Sequence, residues 1–271
     1  MNQSLSNSFR GSLLGLKVAN LINSEKQTLL NWEIINQKVI IDLIKSETIS
    51  RETCEKITFI CKKSSISSGE FILVILPLIL FFHETEALLH EQLEKIKKYN
   101  NITQETIEDI MIFRKITNLI LNQEKPPLNH LLTVSPLLKK VETFLDNQTT
   151  LTELKKQFRP QTALDSNYLL LSLYCFCRTT DNFKLSILQA SQFNYPVILG
   201  ITAVLSGAYN GYSGIPVSWR LNISLKDQEN SLYQQISQLW AKWAGVDEPL
   251  KIIGSIETQV ITSPKFGVNK P

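Results

Sequence analysis

The hydrophobic and polar positions of the chain repeat with the period of a helix rather than with that of a strand. Apolar residues recur at spacings of three and four along most of the sequence, which is typical of helices with one buried face. Residues 29–45 carry Trp32, Ile35 and Val39 on one such face, and residues 232–243 form the last strong example. The pattern therefore predicts an all-α fold in which one helix follows another.

Short polar side chains stand where several of these helices should begin. Such side chains can accept a hydrogen bond from a backbone N–H of the first turn, so they favour the N-cap position. The predicted N-caps are Ser50, Thr103, Thr150, Asp165 and Asp181. Thr150 is followed three residues later by Glu153, which is the spacing of a capping box.

One segment, residues 71–82 (FILVILPLILFF), is apolar throughout and invites comparison with a membrane span. A spanning helix needs about twenty apolar residues, and this run is much shorter and contains Pro77. His83, Glu84 and Glu86 follow at once. The segment is therefore predicted to be a helix buried on all sides in a large helical core, and no membrane association is expected.

The helical pattern predicts one compact multi-helix domain over residues 1–248 and an extended C-terminal tail over residues 249–271. No internal repeat or long linker interrupts the first range, and a chain of 271 residues can form one large core. The tail differs because it carries loop-forming residues such as Pro264 and Gly267. It is predicted to be an extended segment laid over the domain or a flexible end, and in a structural subunit of an oligomer it would reach a partner.

Charge and targeting signals add little to this picture. The 28 basic and 25 acidic residues give a net charge of +3, which is no basis for nucleic-acid binding. The N-terminus lacks the apolar core of a secretory signal, so a cytoplasmic location is expected. The four cysteines lack zinc-site spacing and are predicted to be reduced and buried.

A possible metal site is suggested by His83, Glu86 and His90, at positions i, i+3 and i+7 of one predicted helix. Two imidazoles and a carboxylate suit zinc or iron. The spacing differs from that of metalloproteases, and a solvated helix face accounts for the same residues, so both interpretations stay open. No serine stands in a nucleophile motif, and no glycine loop resembles a phosphate cradle.

Three segments that are spread over most of the chain carry a resemblance to a known family. They are residues 10–16 (RGSLLGL), residues 77–81 (PLILF), and residues 206–211 (SGAYNG) followed by residues 215–219 (IPVSW). In order and spacing they resemble the packing motifs of the ADP-ribosylglycohydrolase family. The resemblance implies an all-α fold of that type, and an activity in which two magnesium ions act on an ADP-ribosyl group.

The same resemblance also locates the family's active-site motifs on this sequence. Counting from the packing motifs, these positions fall on Asn20, Asn31, Trp32, Glu33, Gln104, Asn194, Tyr195 and Pro196. The family's aspartates and threonines are replaced there by amides, aromatic residues and proline, and Val197 follows where a hydroxyl is expected. Magnesium requires hard oxygen ligands, and Glu33 alone supplies a carboxylate.

The sequence therefore predicts a catalytically inactive protein on this scaffold, with no metal or other cofactor. Its expected role is regulation or assembly through contacts with another protein, and a homo-oligomer is compatible with the sequence. The alternative is a hydrolase, or a protein that binds ADP-ribose, with a reorganised site that needs no metal. If the protein is inactive, Trp32 and Tyr195 are expected to fill the former active-site cleft.

Overall fold

A computed structural model describes residues 3–23, 32–64, 67–100, 102–122, 135–158, 166–226 and 231–246. Within these ranges the chain forms helices and no strand, which confirms the all-α fold class. In chain order the helices are α1 (Gln3–Asn23), α2 (Trp32–Ser46), α3 (Arg51–Ser64), α4 (Ser68–Val74), α5 (Leu76–Phe81), α6 (Glu86–Lys97), α7 (Gln104–Asn122), α8 (Pro136–Asp146), α9 (Leu151–Gln157), α10 (Ser166–Arg178), α11 (Phe183–Ser191), α12 (Pro196–Gly214), α13 (Val217–Lys226) and α14 (Ser231–Trp243). One hydrophobic core runs through them from Phe9 to Leu239. The predicted tail lies outside the described residues.

Helices α1 and α12 form the centre of the domain and touch backbone to backbone. A Cβ atom added to Gly207 would stand 2.8 Å from the carbonyl carbon of Gly11, and one added to Gly15 would stand 2.8 Å from that of Ala203. The contact moves forward from Gly11 to Gly15 in α1 while it moves back from Gly207 to Ala203 in α12, so the two helices run antiparallel. Glycines on both sides therefore permit an approach that any side chain would prevent.

The apolar run is buried, as predicted, but it forms two short helices instead of one. Pro77 has no N–H, so the carbonyl of Leu73 lacks its helical donor, and α4 ends at Val74. The side-chain amide of Asn36 in α2 replaces the missing donors, because its Nδ2 donates to the carbonyls of Leu73 at 2.9 Å and Val74 at 2.8 Å. A buried amide thus stabilises the proline break.

Three of the predicted N-caps are confirmed by hydrogen bonds from first-turn backbone amides. The side chains of Ser50, Thr103 and Thr150 accept from the N–H groups three residues later. The prediction for Asp181 is wrong, because Asn182 caps α11 and accepts from the N–H of Leu185 at 3.0 Å. Asp165 lies outside the described residues.

All four cysteines are buried and reduced, as predicted. Burial raises the pKa of the Cys61 thiol to about 11 and those of Cys175 and Cys177 to about 12, and it also raises the pKa of Cys54. Thiols of this kind stay protonated and react slowly. In the part of the chain that the structure describes, no helix is both long and apolar enough to cross a membrane.

Candidate functional site

The antiparallel packing of α1 and α12 brings one end of each helix to the same end of the domain. Since Gly15 lies against Ala203, the following turns of α1 lie beside the preceding turns of α12. Asn20, near the end of α1, and Tyr195, just before α12, therefore belong to one region. We call this region the cleft end, and it also includes the start of α2.

The start of α2 joins the cleft end through an ion pair. Lys17 in α1 pairs with Glu33 in the first turn of α2, and both side chains are half-buried. Trp32 precedes Glu33 and is almost fully buried. The one carboxylate predicted for this region is thus held by a lysine.

Residues 194–197, with the sequence Asn-Tyr-Pro-Val, lead into α12 and become more buried along the chain. Asn194 is exposed and has a positive φ of 59°, which an asparagine tolerates better than most residues. Pro196 occupies the first helical position, where its missing N–H costs nothing. The ring of Tyr195 packs against that of Tyr168, with 5.7 Å between the centroids, and Val197 is buried. The helix therefore begins in an aromatic and apolar setting.

Helix α4 closes the cleft end from another side. A Cβ atom at Gly69 would lie 2.6 Å from the Cγ1 atom of Val197 and 3.5 Å from the Cβ atom of Tyr168. The first turns of α4, α10 and α12 therefore meet at Gly69. This contact leaves little room beside the start of α12.

A buried carboxylate that the sequence analysis did not identify lies next to this contact. Ser68, which precedes Gly69, donates its hydroxyl to the carboxylate of Asp109 in α7 at 2.6 Å, and both residues are buried. One sequence feature could have indicated this carboxylate: Asp109 stands between Ile107 and Ile110, on a side of the helix that is predicted to be apolar. The pairing partner lies 41 residues away and could not be read from the sequence.

One predicted site residue that the structure describes, Gln104, does not contribute to this region. Gln104 is the first residue of α7 and is exposed, and its side-chain amide lies 3.5 Å from Glu108 on its own helix. Asn31 lies outside the described residues.

Some polar atoms at the cleft end are buried without a hydrogen-bond partner. They are Oδ1 of Asn20, Nδ2 of Asn23 and Nε1 of Trp32. Asn20 and Glu33 also border a groove of about 340 Å³, counting the space open to solvent, between α1, α2 and α14. Leu13, Leu16 and Ile236 are among the residues that line it. Each of these atoms could bond to water or to a small polar group that reached it.

The residues of the cleft end do not fit a pair of magnesium ions. Two hard cations require several carboxylate oxygens, whereas Glu33 is paired with Lys17 and Asp109 accepts a hydrogen bond from Ser68. Tyr195, Pro196 and Val197 stand where the resemblance implies ligands. Among the described residues, no three acidic, histidine or cysteine side chains are grouped as a metal would require.

The alternative site at His83, Glu86 and His90 is not assembled, because these residues do not share one helix. α6 begins at Glu86, and His83 lies before it, fully buried, with Nδ1 donating to the carbonyl of Leu80 at 2.7 Å. His90 is exposed. Both interpretations of this segment are therefore wrong for His83, which is neither a ligand nor part of a solvated face.

A buried arginine fixes the position of His83. Arg114 in α7 donates to the carbonyl of His83 at 2.7 Å and pairs with Glu86. The His83 ring packs against Trp243 with 5.0 Å between the ring centroids, and burial lowers the pKa of the imidazole. Its Nε2 atom is buried without a partner. This arrangement ties α5, α6, α7 and α14 together.

Comparison with known proteins informs the fold of this chain. No protein-family profile and no curated protein sequence matches this chain. A solved structure titled "ADP-ribosylglycohydrolase-related protein complex" has the same fold with a TM-score of 0.60 and 12% sequence identity, over 90% of this chain and 99% of that one. The chain therefore has an ADP-ribosylglycohydrolase-like fold, as the resemblance of its packing motifs predicted.

Proposed function

We propose that this protein does not hydrolyse ADP-ribosyl groups and that it acts through contacts with another protein. The observation that carries the proposal is the composition of the cleft end. Tyr195, Pro196 and Val197 stand at the start of α12, and Glu33 is held by Lys17. A hydrolase of this fold would need an electronegative site at the same place.

Electrostatics support this proposal. Two divalent cations bring four positive charges, which a site must offset with carboxylates close to the ions. Lys17 adds a positive charge at the rim, and an ammonium group near a cation site opposes metal binding. The contact between Gly69 and Val197 further limits the space beside α12.

A role in protein assembly agrees with two further observations. The similar solved structure is titled as a protein complex. The chain also exposes several large apolar side chains, among them Phe59, Leu221 and Leu225. Val217, Leu221 and Leu225 follow one another at intervals of one turn on α13, and apolar side chains grouped in this way are typical of protein interfaces.

A direct assay of hydrolysis tests the proposal. The purified chain is incubated with an ADP-ribosylated protein and with excess magnesium, and release of ADP-ribose is measured. We expect no release above the enzyme-free rate, and the variants Glu33→Gln and Asp109→Asn should behave like the parent. Turnover by the parent that either variant abolishes would show an active site and contradict the proposal.

A second function, binding of ADP-ribose without hydrolysis, is favoured by the unpartnered polar atoms of Asn20, Asn23 and Trp32. A ligand that offers acceptors and a hydroxyl donor would satisfy them. Calorimetry with ADP-ribose separates the two functions, because a closed cleft end predicts no saturable binding. Binding that is lost in Trp32→Phe but kept in Trp240→Phe would establish the second function, since both indole N–H groups are buried without partners.

A further inference from the structure

Helix α13 carries an arginine, Arg220, that has no acidic partner among the described residues. The residue is half-buried, and its Nε atom is buried without a hydrogen-bond partner. No described carboxylate forms an ion pair with its guanidinium. Arg114, the buried arginine of α7, shows the usual arrangement, because Glu86 pairs with it. An anion from outside the domain would stabilise a guanidinium that is partly removed from water without a counter-charge.

Two tyrosine rings hold this guanidinium in one orientation. The Cζ atom of Arg220 lies 4.5 Å from the centroid of the Tyr212 ring, and the edge of that ring meets Tyr233 of α14 at a centroid distance of 6.5 Å. The Tyr233 hydroxyl donates to the backbone carbonyl of Arg220 at 3.5 Å. A guanidinium that is fixed against a ring keeps its planar fork of N–H donors and loses little conformational freedom when it binds an anion. We call Tyr212, Arg220 and Tyr233 the arginine site.

The arginine site is far from the cleft end. Tyr195 stands just before the first turn of α12, and Tyr212 belongs to its last turn. At the rise of a helix the two positions are separated by about 25 Å. The arginine site is therefore distinct from the region where the resemblance places the family's active-site motifs.

The helices around the arginine site contribute positive charge only. Helices α1, α11, α12, α13 and α14 contain no aspartate or glutamate, and α1 packs against α12, α13 and α14. Their basic residues are Arg10, Lys17, Lys184, Arg220, Lys226 and Lys242. Lys17 and Lys242 pair with carboxylates that belong to α2 or follow it. The acidic residues Asp227 and Glu229, between α13 and α14, lie outside the described residues.

A second arginine lies beyond Tyr233. Nη2 of Arg10 in α1 donates to the hydroxyl of Ser237 at 2.7 Å, and Ser237 follows Tyr233 by one turn of α14. Clustered positive charge of this kind attracts anionic partners. Two arginines on adjoining helices favour a ligand with several negative groups along its length over a single small anion.

We infer that the arginine site binds a carboxylate side chain from an acidic segment of a partner protein. This inference rests on the proposed function, because it assigns a chemistry to the partner. A carboxylate carries one negative charge, and its two oxygens fit the terminal N–H groups of one arginine. A phosphate monoester carries nearly two charges and needs more donors directed at one point, whereas Arg10 is already bonded to Ser237.

Fluorescence anisotropy with labelled peptides tests the inference on the full chain. The probe is a peptide of alternating glutamate and serine, and the same peptide with glutamine in place of glutamate is the uncharged control. We expect the glutamate peptide alone to bind, with an affinity that falls as salt is raised. Arg220→Gln should weaken binding at least about tenfold, because it removes a charge-assisted pair. Arg220→Lys should weaken it less, since the charge remains and the fork is lost.

Arg178→Gln is the matched control. Arg178 also lies over a tyrosine ring, with its Cζ atom 5.9 Å from the centroid of Tyr174, but it belongs to α10, which is not one of the five helices. This variant should bind the glutamate peptide as the parent does. Circular dichroism of each variant establishes that a loss of binding does not come from unfolding.

A thiol beside the site gives a second test that leaves Arg220 in place. Ser213 is exposed and follows Tyr212, and the four native thiols are buried. A glutamate peptide that ends in an activated disulfide should label Ser213→Cys faster than the glutamine peptide does. The two peptides should label Gln104→Cys, at an exposed position of α7, at equal rates.

Several results would overturn the inference. They are equal labelling of Ser213→Cys by the two peptides, equal losses of binding in Arg178→Gln and Arg220→Gln, and tighter binding of phosphatidylserine vesicles or single-stranded DNA through Arg220. A glutamate peptide that does not bind would overturn the arginine site alone, because the hydrolysis assay tests the absence of catalysis separately.

Discussion

The close contact of α1 with α12 leads to a sharp prediction for Gly207→Ala. The added methyl group would stand 2.8 Å from the carbonyl carbon of Gly11 and closer still to its oxygen. Backbone atoms on both sides of the contact cannot rotate away as a side chain can. The two helices would therefore have to move apart along the centre of the core.

The magnitude follows from two opposing effects. Alanine stabilises a helix by about 1 kcal/mol relative to glycine. Overpacking typically costs about 1–3 kcal/mol, and a backbone clash belongs at the upper end of this range. We expect Gly207→Ala to lower the free energy of unfolding by about 2 kcal/mol, which corresponds to a loss of about 4–8 °C in melting temperature.

Gly200→Ala on the same helix is the matched control. Its new methyl group would meet the end of the Leu73 side chain at 2.6 Å, and a side-chain end can shift more easily than a backbone. The gain in helix propensity should offset this cost, so its stability should stay near that of the parent.

Denaturant unfolding followed by far-ultraviolet circular dichroism measures both variants. Gly11→Ala should destabilise as much as Gly207→Ala, and the double variant should lose less than the sum, because both changes open one contact. If Gly207→Ala is as stable as the parent, α1 and α12 do not pack as described and the antiparallel register is wrong.

Three further predictions concern metal, pH and the proline break. Millimolar magnesium should leave the melting temperature unchanged, whereas a site filled at a hundred times its dissociation constant would add about 2.7 kcal/mol and show as a clear shift in calorimetry. Because burial lowers the pKa of His83, the unfolded chain takes up the proton first, so the free energy of unfolding should fall as pH drops below about 6.5. This pH dependence, measured by urea unfolding at several pH values, should weaken in His83→Gln and persist in His90→Gln. An unchanged pH dependence in His83→Gln would refute the prediction. Asn36→Ala leaves the carbonyls of Leu73 and Val74 without donors and should cost about 2–4 kcal/mol in the same assay, and a loss below about 1 kcal/mol would mean that water replaces the amide.

The helices were predictable from the sequence because caps and apolar faces are local features. Ser50, Thr103 and Thr150 each act within three residues of their own position. The error at Asp181 arises because two good capping residues are adjacent there. The N–H of Asn182 bonds to the carbonyl of Thr179, and this turn gives Asn182 the extended backbone of an N-cap.

The site could be predicted only in part, because its decisive contacts join distant segments. The packing motifs pointed to a helix rich in small residues around Gly207, and the structure shows that Tyr195 and Pro196 stand at its start. The sequence did not show that Lys17 would pair with Glu33, or that Ser68 would meet Asp109. His83 was misread for the same reason, since its backbone carbonyl bonds to Arg114, 31 residues away, and its ring packs against Trp243.

The buried thiols provide an internal probe of how the domain opens. Cys54 and Cys61 lie in α3, whereas Cys175 and Cys177 lie in α10, which packs against the central helix α12. Alkylating reagents reach such thiols only when the surrounding helices separate, so the labelling rate reports the free energy of local opening. Mass spectrometry after brief alkylation would measure the labelling rates of the cysteines in α3 and α10 separately, in a chain that carries no substitution. Faster labelling in α3 than in α10 would show that the periphery unfolds while the α1 and α12 pair remains closed.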